Sequence, residues 1–366
     1  MSPAYVPILK AKAGEFSALQ NLPARVAARI VPLFDLPRPD QKYEGTVQDH
    51  ISKVARNCGV AWSGKAAYID ITKWRPNERV ESGVHVLSHA LARLAAAGVL
   101  VRPVVGYDRW DDVEYSQALR SASALFAEGF CLRLDVEAIE DMGDADYFEE
   151  RIDEISSALG LSPENCHVIV DFADLTKASV PEILEKADLA VDYLKQLGFR
   201  QIIVAGGSMP AFVNEAVDEP DQIGMIHRIE MLVWKAMQRV RNDPSIIYGD
   251  YGIRNPAAMD GIISKHNNGK IRYTVANQFF ILRGHSKQIE RIGVQQKALS
   301  RQLLGSSYYM GPAFSWGDRT VTIAANPADP YMGGPTQWIG IDTNHHIHAV
   351  LAEVFEHQTQ LATLPF

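Results

Sequence analysis

The chain has 366 residues, 47% hydrophobic and 22% charged, with a formal net charge of −8. These values exclude a disordered or low-complexity chain and leave enough apolar residues for a large core. The acidic balance argues against sequence-independent binding to nucleic acid, with a local basic groove left open.

Three widely spaced cysteines, Cys58, Cys131 and Cys166, fit neither a zinc cage nor a disulfide framework. Buried free thiols and a reducing, cytoplasmic setting are expected. No apolar run approaches the ~20 residues needed to span a bilayer, and no secretion signal opens the chain, so a soluble protein is expected.

In chain order, eight short β-branched and aliphatic runs occupy 5–9, 29–34, 66–71, 100–105, 130–136, 167–172, 200–205 and 246–249. Most are separated by roughly 12 to 20 residues with apolar positions three and four apart, the pattern of a crossover helix. In 83–98, for example, Val84, Leu87, Leu91 and Leu94 form the apolar face and Gly98 supplies the stop. The segments 112–129 and 181–198 repeat this order of helix, glycine and strand, which favours parallel pairing.

After residue 249 the pattern changes. The run 271–282 reads as one long apolar β segment, 286–304 as a helix, 305–340 as a stretch rich in Gly, Pro, Ser and aromatics, and 343–360 as a final helix. The expected fold is therefore α/β: a (β/α)8 TIM-like barrel over 1–255. A carboxy-terminal Gly/aromatic-rich extension, 256–366, packs on it rather than folding independently.

Barrels of this kind carry their chemistry at the carboxyl ends of the strands. Asp70, Asp135, Glu137, Asp171 and Asp250 stand at or just beyond such ends. Side chains alternate along a strand, so Arg133, Asp135 and Glu137 would share one facing. Lys10 and Lys12 follow the first run, Glu15 falls in a first helical turn where the helix dipole favours it, and Gly206-Gly207-Ser208 follows the seventh, where barrels often bind phosphate. His345, His346 and His348 form a cluster without further spaced ligands, expected to be solvated or partner-facing rather than a zinc site.

The segment YVPILKAKAGEFSAL, followed by RIVPLFDL, and the later FFILRGH, FSWGD and QW-x(6)-HHIHAVL resemble the beta protein family (T-even bacteriophage beta protein-like). That resemblance, over about residues 5–355, marks Lys10, Lys12, Gly14, Glu15, Arg283, Gly284, Trp316, Gly317, Asp318, Trp338, His345 and His346. It implies no established activity. The family's association with phages and mobile elements implies a part in phage–host conflict, as a defence effector or a sensor.

The leading expectation is a metal-assisted phosphoester hydrolase acting on a small molecule, a nucleotide or nucleic acid. Asp135, Glu137, Asp171 and Lys10 would be catalytic, and Lys12, Arg133, Gly206, Gly207, Ser208 and Arg283 would bind substrate. Asp70, Asp135, Asp171 and Asp250 would hold Mg or Mn. One alternative is a non-catalytic module recognising a protein partner through Tyr308, Tyr309, Phe314, Trp316 and Trp338. Another is a glycoside hydrolase using two of the carboxylates. A third leaves Asp135 and Asp171 paired with Arg133, Lys10 or Arg102 in a buried polar layer that only holds the barrel together.

Overall fold

A computed structural model of the chain describes residues 3–123, 129–258, 267–330 and 333–363. Eight parallel strands close into a barrel: β1 (Tyr5–Lys10), β2 (Leu33–Asp35), β3 (Ala66–Asp70), β4 (Leu100–Gly106), β5 (Cys131–Leu134), β6 (His167–Asp174), β7 (Gln201–Gly207) and β9 (Ile246–Asp250). Each of the eight sequence runs supplies one of these strands. A further strand, β8 (Ile223–His227), lies outside the ring.

Strand alternation divides the apolar residues between two cores. Val6, Ile8, Leu33, Tyr68, Val104, Cys131, Ile169, Ile203 and Ile247 fill the barrel. Their neighbours in sequence, such as Leu9, Phe34, Ile69, Leu132, Val170 and Val204, face the surrounding helices. The register pairs Lys10 with Asp35 and Asp35 with Asp70, so the last inward positions of β1, β2 and β3 lie side by side at the carboxyl rim.

The helices form where the apolar spacing places them. Val86–Ala96 buries Val86, Leu87, Ala90, Leu91 and Leu94, and Gly98 follows with φ +87°. Val84, expected on that face, precedes the helix and is exposed, because His85 is the N-cap. All three cysteines are buried free thiols, and burial pushes Cys58 and Cys166 up to about 12. No helix among the described residues is long and apolar enough to cross a membrane.

The extension contains β10 (Asn268–Val275) and β11 (Gln278–Ser286), which with β8 form an antiparallel sheet in the order β10-β11-β8. The apolar run at 271–282 is thus a hairpin, with Asn277 at φ +58° in its turn. Strand β8 escapes the sequence pattern because it is short and interrupted by Gly224, where a side chain would meet the Ala216 carbonyl.

The last helix, Pro335–Thr363, crosses Ala13–Gln20 at close range. A Cβ on Gly14 would lie 2.7 Å from Ile339 Cγ2, and one on Gly340 would lie 2.9 Å from the Gly14 carbonyl. Close backbone approach therefore explains Gly14. Gly317 serves the same purpose where Trp316–Ala325 meets the last helix, and Trp338 is buried in the core of the extension.

Candidate functional site

Arg133, next to last in β5, points into the barrel and is the hub of the carboxyl rim. Its Nη1 donates to Asp35 Oδ1 at 2.8 Å and to Asp70 Oδ2 at 2.7 Å. Its Nε and Nη2 donate to Asp171 Oδ2 at 2.9 and 2.7 Å, and Nη2 also reaches Tyr251 Oη at 2.7 Å. Tyr251 in turn donates to Asp171 Oδ2 at 2.6 Å. A second cation, Arg109, donates to Asp70 Oδ1 at 2.8 Å from the short turn after β4.

Asp70 and Asp35 differ in proton affinity. Burial raises the Asp70 carboxyl, but Arg109 and Arg133 outweigh it and bring it down to about 2. Burial lifts Asp35 above the ordinary carboxylate range; Arg133 pulls it back, and the neighbouring charge of Asp70 pushes it up again. Asp35 is thus the rim acid that holds a proton more readily than an ordinary aspartate.

Beside this cluster lies a small cleft, partly open to solvent. Lys10, Glu15, Asp35, Tyr251, Arg254 and Asn255 supply its polar wall. Lys10 Nζ donates to the Ala258 carbonyl at 2.7 Å, Lys73 Nζ to the Pro256 carbonyl at 3.1 Å, and Arg254 Nη1 reaches Glu15 Oε1 at 3.4 Å. Glu15 is buried against that arginine, so it does more than complement the helix dipole.

Of the sequence candidates, Lys10, Asp70, Arg133 and Asp171 come together at this rim, and the others do not. Strand β5 stops at Leu134 and a helix begins at Val136, so the alternation that would have aligned Asp135 and Glu137 with Arg133 ends too soon. Asp135 instead caps that helix by accepting from Ala138 N at 3.3 Å, and Glu137 is exposed in its first turn. Asp250 points out of the barrel, the opposite way from Tyr251. Lys12 occupies the N-cap position of Ala13–Gln20, and its backbone N–H donates to Lys10 O at 2.7 Å.

The glycine turn is also structural. Side chains at Gly206 and Gly207 would run into Leu175 and into Pro256 and Tyr251, and Ser208 donates to buried Glu230 rather than facing the cleft. Arg283 Nη1 holds the Val217 carbonyl at 2.6 Å in the small sheet, remote from the rim in the fold. Arg102 sits at the opposite end of the barrel, over the Tyr68 ring. Tyr309, Trp316 and Trp338 pack in the core of the extension and Phe314 tilts over His345, leaving Tyr308 the most exposed of the aromatic set.

The proposed metal set does not fit a divalent cation. Asp135 and Asp250 face elsewhere, and Asp70 and Asp171 already bond to Arg133, whose positive charge stands between them. Among the described residues no three His, Cys, Asp or Glu side chains are grouped to hold a metal ion.

Sequence reasoning overlooked Asp35, Arg109 and Tyr251. Asp35 was within reach: it directly follows the second run, and it ends β2 as Asp70 ends β3. Arg109 lies in a turn with no periodic signal.

A second buried network joins the barrel to the extension. Arg228 Nη1 donates to Glu353 Oε2 at 2.6 Å and Nη2 to Tyr248 Oη at 3.0 Å. Asp250 meets Tyr5, Tyr248 and His346, the last at 3.0 Å. His345 faces Asp318 at 2.9 Å and the Thr274 carbonyl at 2.8 Å. The histidine cluster is therefore largely buried, correcting the expectation of a solvated one, because the last helix is enclosed by the barrel and the small sheet.

Burial lifts Glu230 in this network to about 7, against the pull of Arg228. A carboxyl with a raised folded-state pKa contributes its stability below the ordinary glutamate range and loses it as the pH rises through about 7. Glu230→Gln mimics the protonated acid. It is expected to raise the melting temperature over wild type at pH 8 and to leave it nearly unchanged at pH 5; equal shifts at both pH values would refute this.

One solved structure, titled "PhdJ bound to substrate intermediate", is similar over 95% of this chain and 96% of its own, at 10% identity and a TM-score of 0.32. No curated protein matches. The family model described as Beta protein matches residues 5–352. That match spans both the barrel and most of the extension, so the chain belongs to the Beta protein family.

Proposed function

We propose that the barrel mouth is an acid–base site for a small anionic substrate, with phosphoester hydrolysis as its reaction class. The observation that carries this reading is Asp35, a buried carboxyl of raised proton affinity that forms part of an open cleft wall and is backed by Arg133 at 2.8 Å. A carboxyl whose proton affinity is raised is suited to act as a general acid. Lys10 and Arg254 on the same wall supply positive charge for an anion.

In the proposed step a water oxygen bonds to phosphorus as the ester P–O bond breaks. Neutral Asp35 gives its proton to the leaving oxygen, and the carboxylate left behind is stabilised by Arg133. Glu15, the other carboxylate on the wall, takes the proton of the attacking water. No step is routed through a metal.

The test is turnover of a panel of phosphomonoesters, phosphodiesters and cyclic nucleotides, with and without EDTA. Asp35→Asn is expected to lower kcat by roughly 10²- to 10⁴-fold, the usual range for a lost general acid, while keeping the wild-type melting temperature or raising it. The wild-type rate should fall as the pH rises and Asp35 loses its proton. Full activity in Asp35→Asn, or no turnover of any phosphoester by the wild type, would overturn the reading.

A further inference from the structure

We propose that β8 is a pairing edge on which a second copy of this chain docks, antiparallel about Gly224, so that the small sheet continues across a two-fold axis. Nothing in this pairing depends on the acid–base reading above. The order β10-β11-β8 gives the sheet two edges, and the fold treats them differently. Along β10, backbone groups pointing away from β11 are met by side chains. Lys270 O accepts from Gln296 Nε2 at 3.0 Å, Arg272 N donates to Asp342 Oδ2 at 3.2 Å, and Thr274 O lies 2.8 Å from His345 Nε2. Helices Ile292–Leu304 and Pro335–Thr363 thereby seal that edge.

The β8 edge is open. Arg283 N donates to Gln222 O at 3.1 Å and Arg228 N to Asn277 O at 2.8 Å, which fixes the even-numbered residues as those bonded to β11. Ile223, Met225 and His227 therefore turn their backbone N–H and C=O groups outward. Among the described residues these outward groups meet no other part of the chain. The strand carries neither Pro nor Lys and its register with β11 is unbroken, so none of the usual devices blunts it.

The side chains point the same way. Met225 and Ile223 are the cross-strand neighbours of Phe280 and Leu282, which are buried in the core of the extension. Ile223 is nevertheless 41% exposed and Met225 36%, and Tyr308, whose ring tilts over Phe280 at 4.7 Å between centroids, is 42% exposed. The core thus ends in an uncovered apolar margin beside unpaired backbone.

The strand complements itself. In an antiparallel pair centred on Gly224, Ile223 and the second copy's Met225 exchange their outward N–H···O=C bonds, and their side chains meet on one face. Gly224 lies opposite its own counterpart, where no side chain adds bulk. Asp221 falls opposite the second copy's His227, an exposed imidazole able to donate to the carboxylate. A parallel copy would instead set the exposed acidic ends, Asp218, Glu219 and Asp221, side by side.

The test is sedimentation velocity over a range of protein concentrations, where the wild type is expected to dimerise as concentration rises. Met225→Pro removes an outward N–H that the fold does not use, and Met225→Lys sets a charge against the second copy's Ile223. Each is expected to weaken dimerisation roughly tenfold or more while keeping the wild-type circular dichroism. Val60→Lys, at a 75% exposed apolar position in the helix Val47–Trp62, should dimerise as the wild type does. A wild type that stays monomeric, a dimer left intact by both folded Met225 variants, or equal weakening by Val60→Lys would overturn the proposal; the first result would leave the edge to an extended segment of another protein.

The register has its own readout. Pairing about Gly224 sets positions 223 and 225 of the two copies opposite each other at a Cα separation of about 5.5 Å, within reach of a disulfide. Ile223→Cys mixed with Met225→Cys should therefore cross-link under oxidation more fully than either variant alone, the native thiols being buried. Cross-linking no better in the mixture than in the separate variants would rule out this register.

Discussion

Arg133→Met is expected to destabilise the protein by roughly 3–5 kcal/mol, the range for removing one partner from a buried ion pair. Methionine keeps the apolar stem of the side chain, so lost packing is confined to the place of the guanidinium group. What remains is electrostatic: Asp35, Asp70 and Asp171 converge without the guanidinium that bonds to all three. Arg109 still neutralises Asp70 in part.

The deficit should shrink as the pH falls, because the exposed alternative for each carboxylate is to take up a proton, and in the variant this becomes easier. Urea unfolding at pH 7.5 and pH 5 measures both effects. Adding Asp171→Asn to Arg133→Met should recover part of the loss. A single-variant cost under about 1 kcal/mol would mean that the cluster tolerates unpaired acids, contrary to the expectation for buried charge.

Glu353→Ala is the second large effect, again roughly 3–5 kcal/mol. Glu353 accepts from Arg228 Nη1 at 2.6 Å, from Lys235 Nζ at 2.6 Å and from the backbone N–H of Asn277 at 2.8 Å. One carboxylate thus ties the last helix to Ile229–Arg241 and to the β10–β11 turn. Without it, the counter-charges left to fully buried Arg228 among the described residues are Asp250 at 3.6 Å and Glu230 at 3.9 Å.

Burial raises the Glu353 carboxyl, but Arg228 and Lys235 hold it below the ordinary glutamate range. Its contribution is therefore present at neutral pH and lost as the pH falls into the acid range. Barrel and extension share this network, so denaturation of Glu353→Ala should remain a single transition at lower denaturant. Two separated transitions, with the barrel unfolding as in wild type, would show the extension to be an independent unit.

Much of the architecture could be read without coordinates. Each of the eight runs became a barrel strand, since burial on both faces of a parallel strand leaves a local apolar signature. The hairpin at Ala276-Asn277 was hidden because apolar residues continue on both sides of a turn that has no glycine. FSWGD carries the family resemblance and HHIH reads as a solvated or partner-facing cluster, yet Ser315 caps a helix over Asp318, and Asp318 and His345 bond to each other in the core. Residue type alone cannot separate a buried structural pair from a reactive one.

The rim shows the same division at single residues. Asp35, Asp70, Asp171 and Asp250 look alike in the chain, each within one residue of the end of an apolar run. Their roles depend on whether the strand's alternation puts them inside the closed ring or outside it. Asp250 is one residue out of phase with Tyr251 and joins a different network. Periodicity and composition are local properties, so strand and helix existence follow from the amino-acid order. Convergence on Arg133, from residues as far as 118 positions away, arises only when the ring closes and sets which carboxylates share one cation.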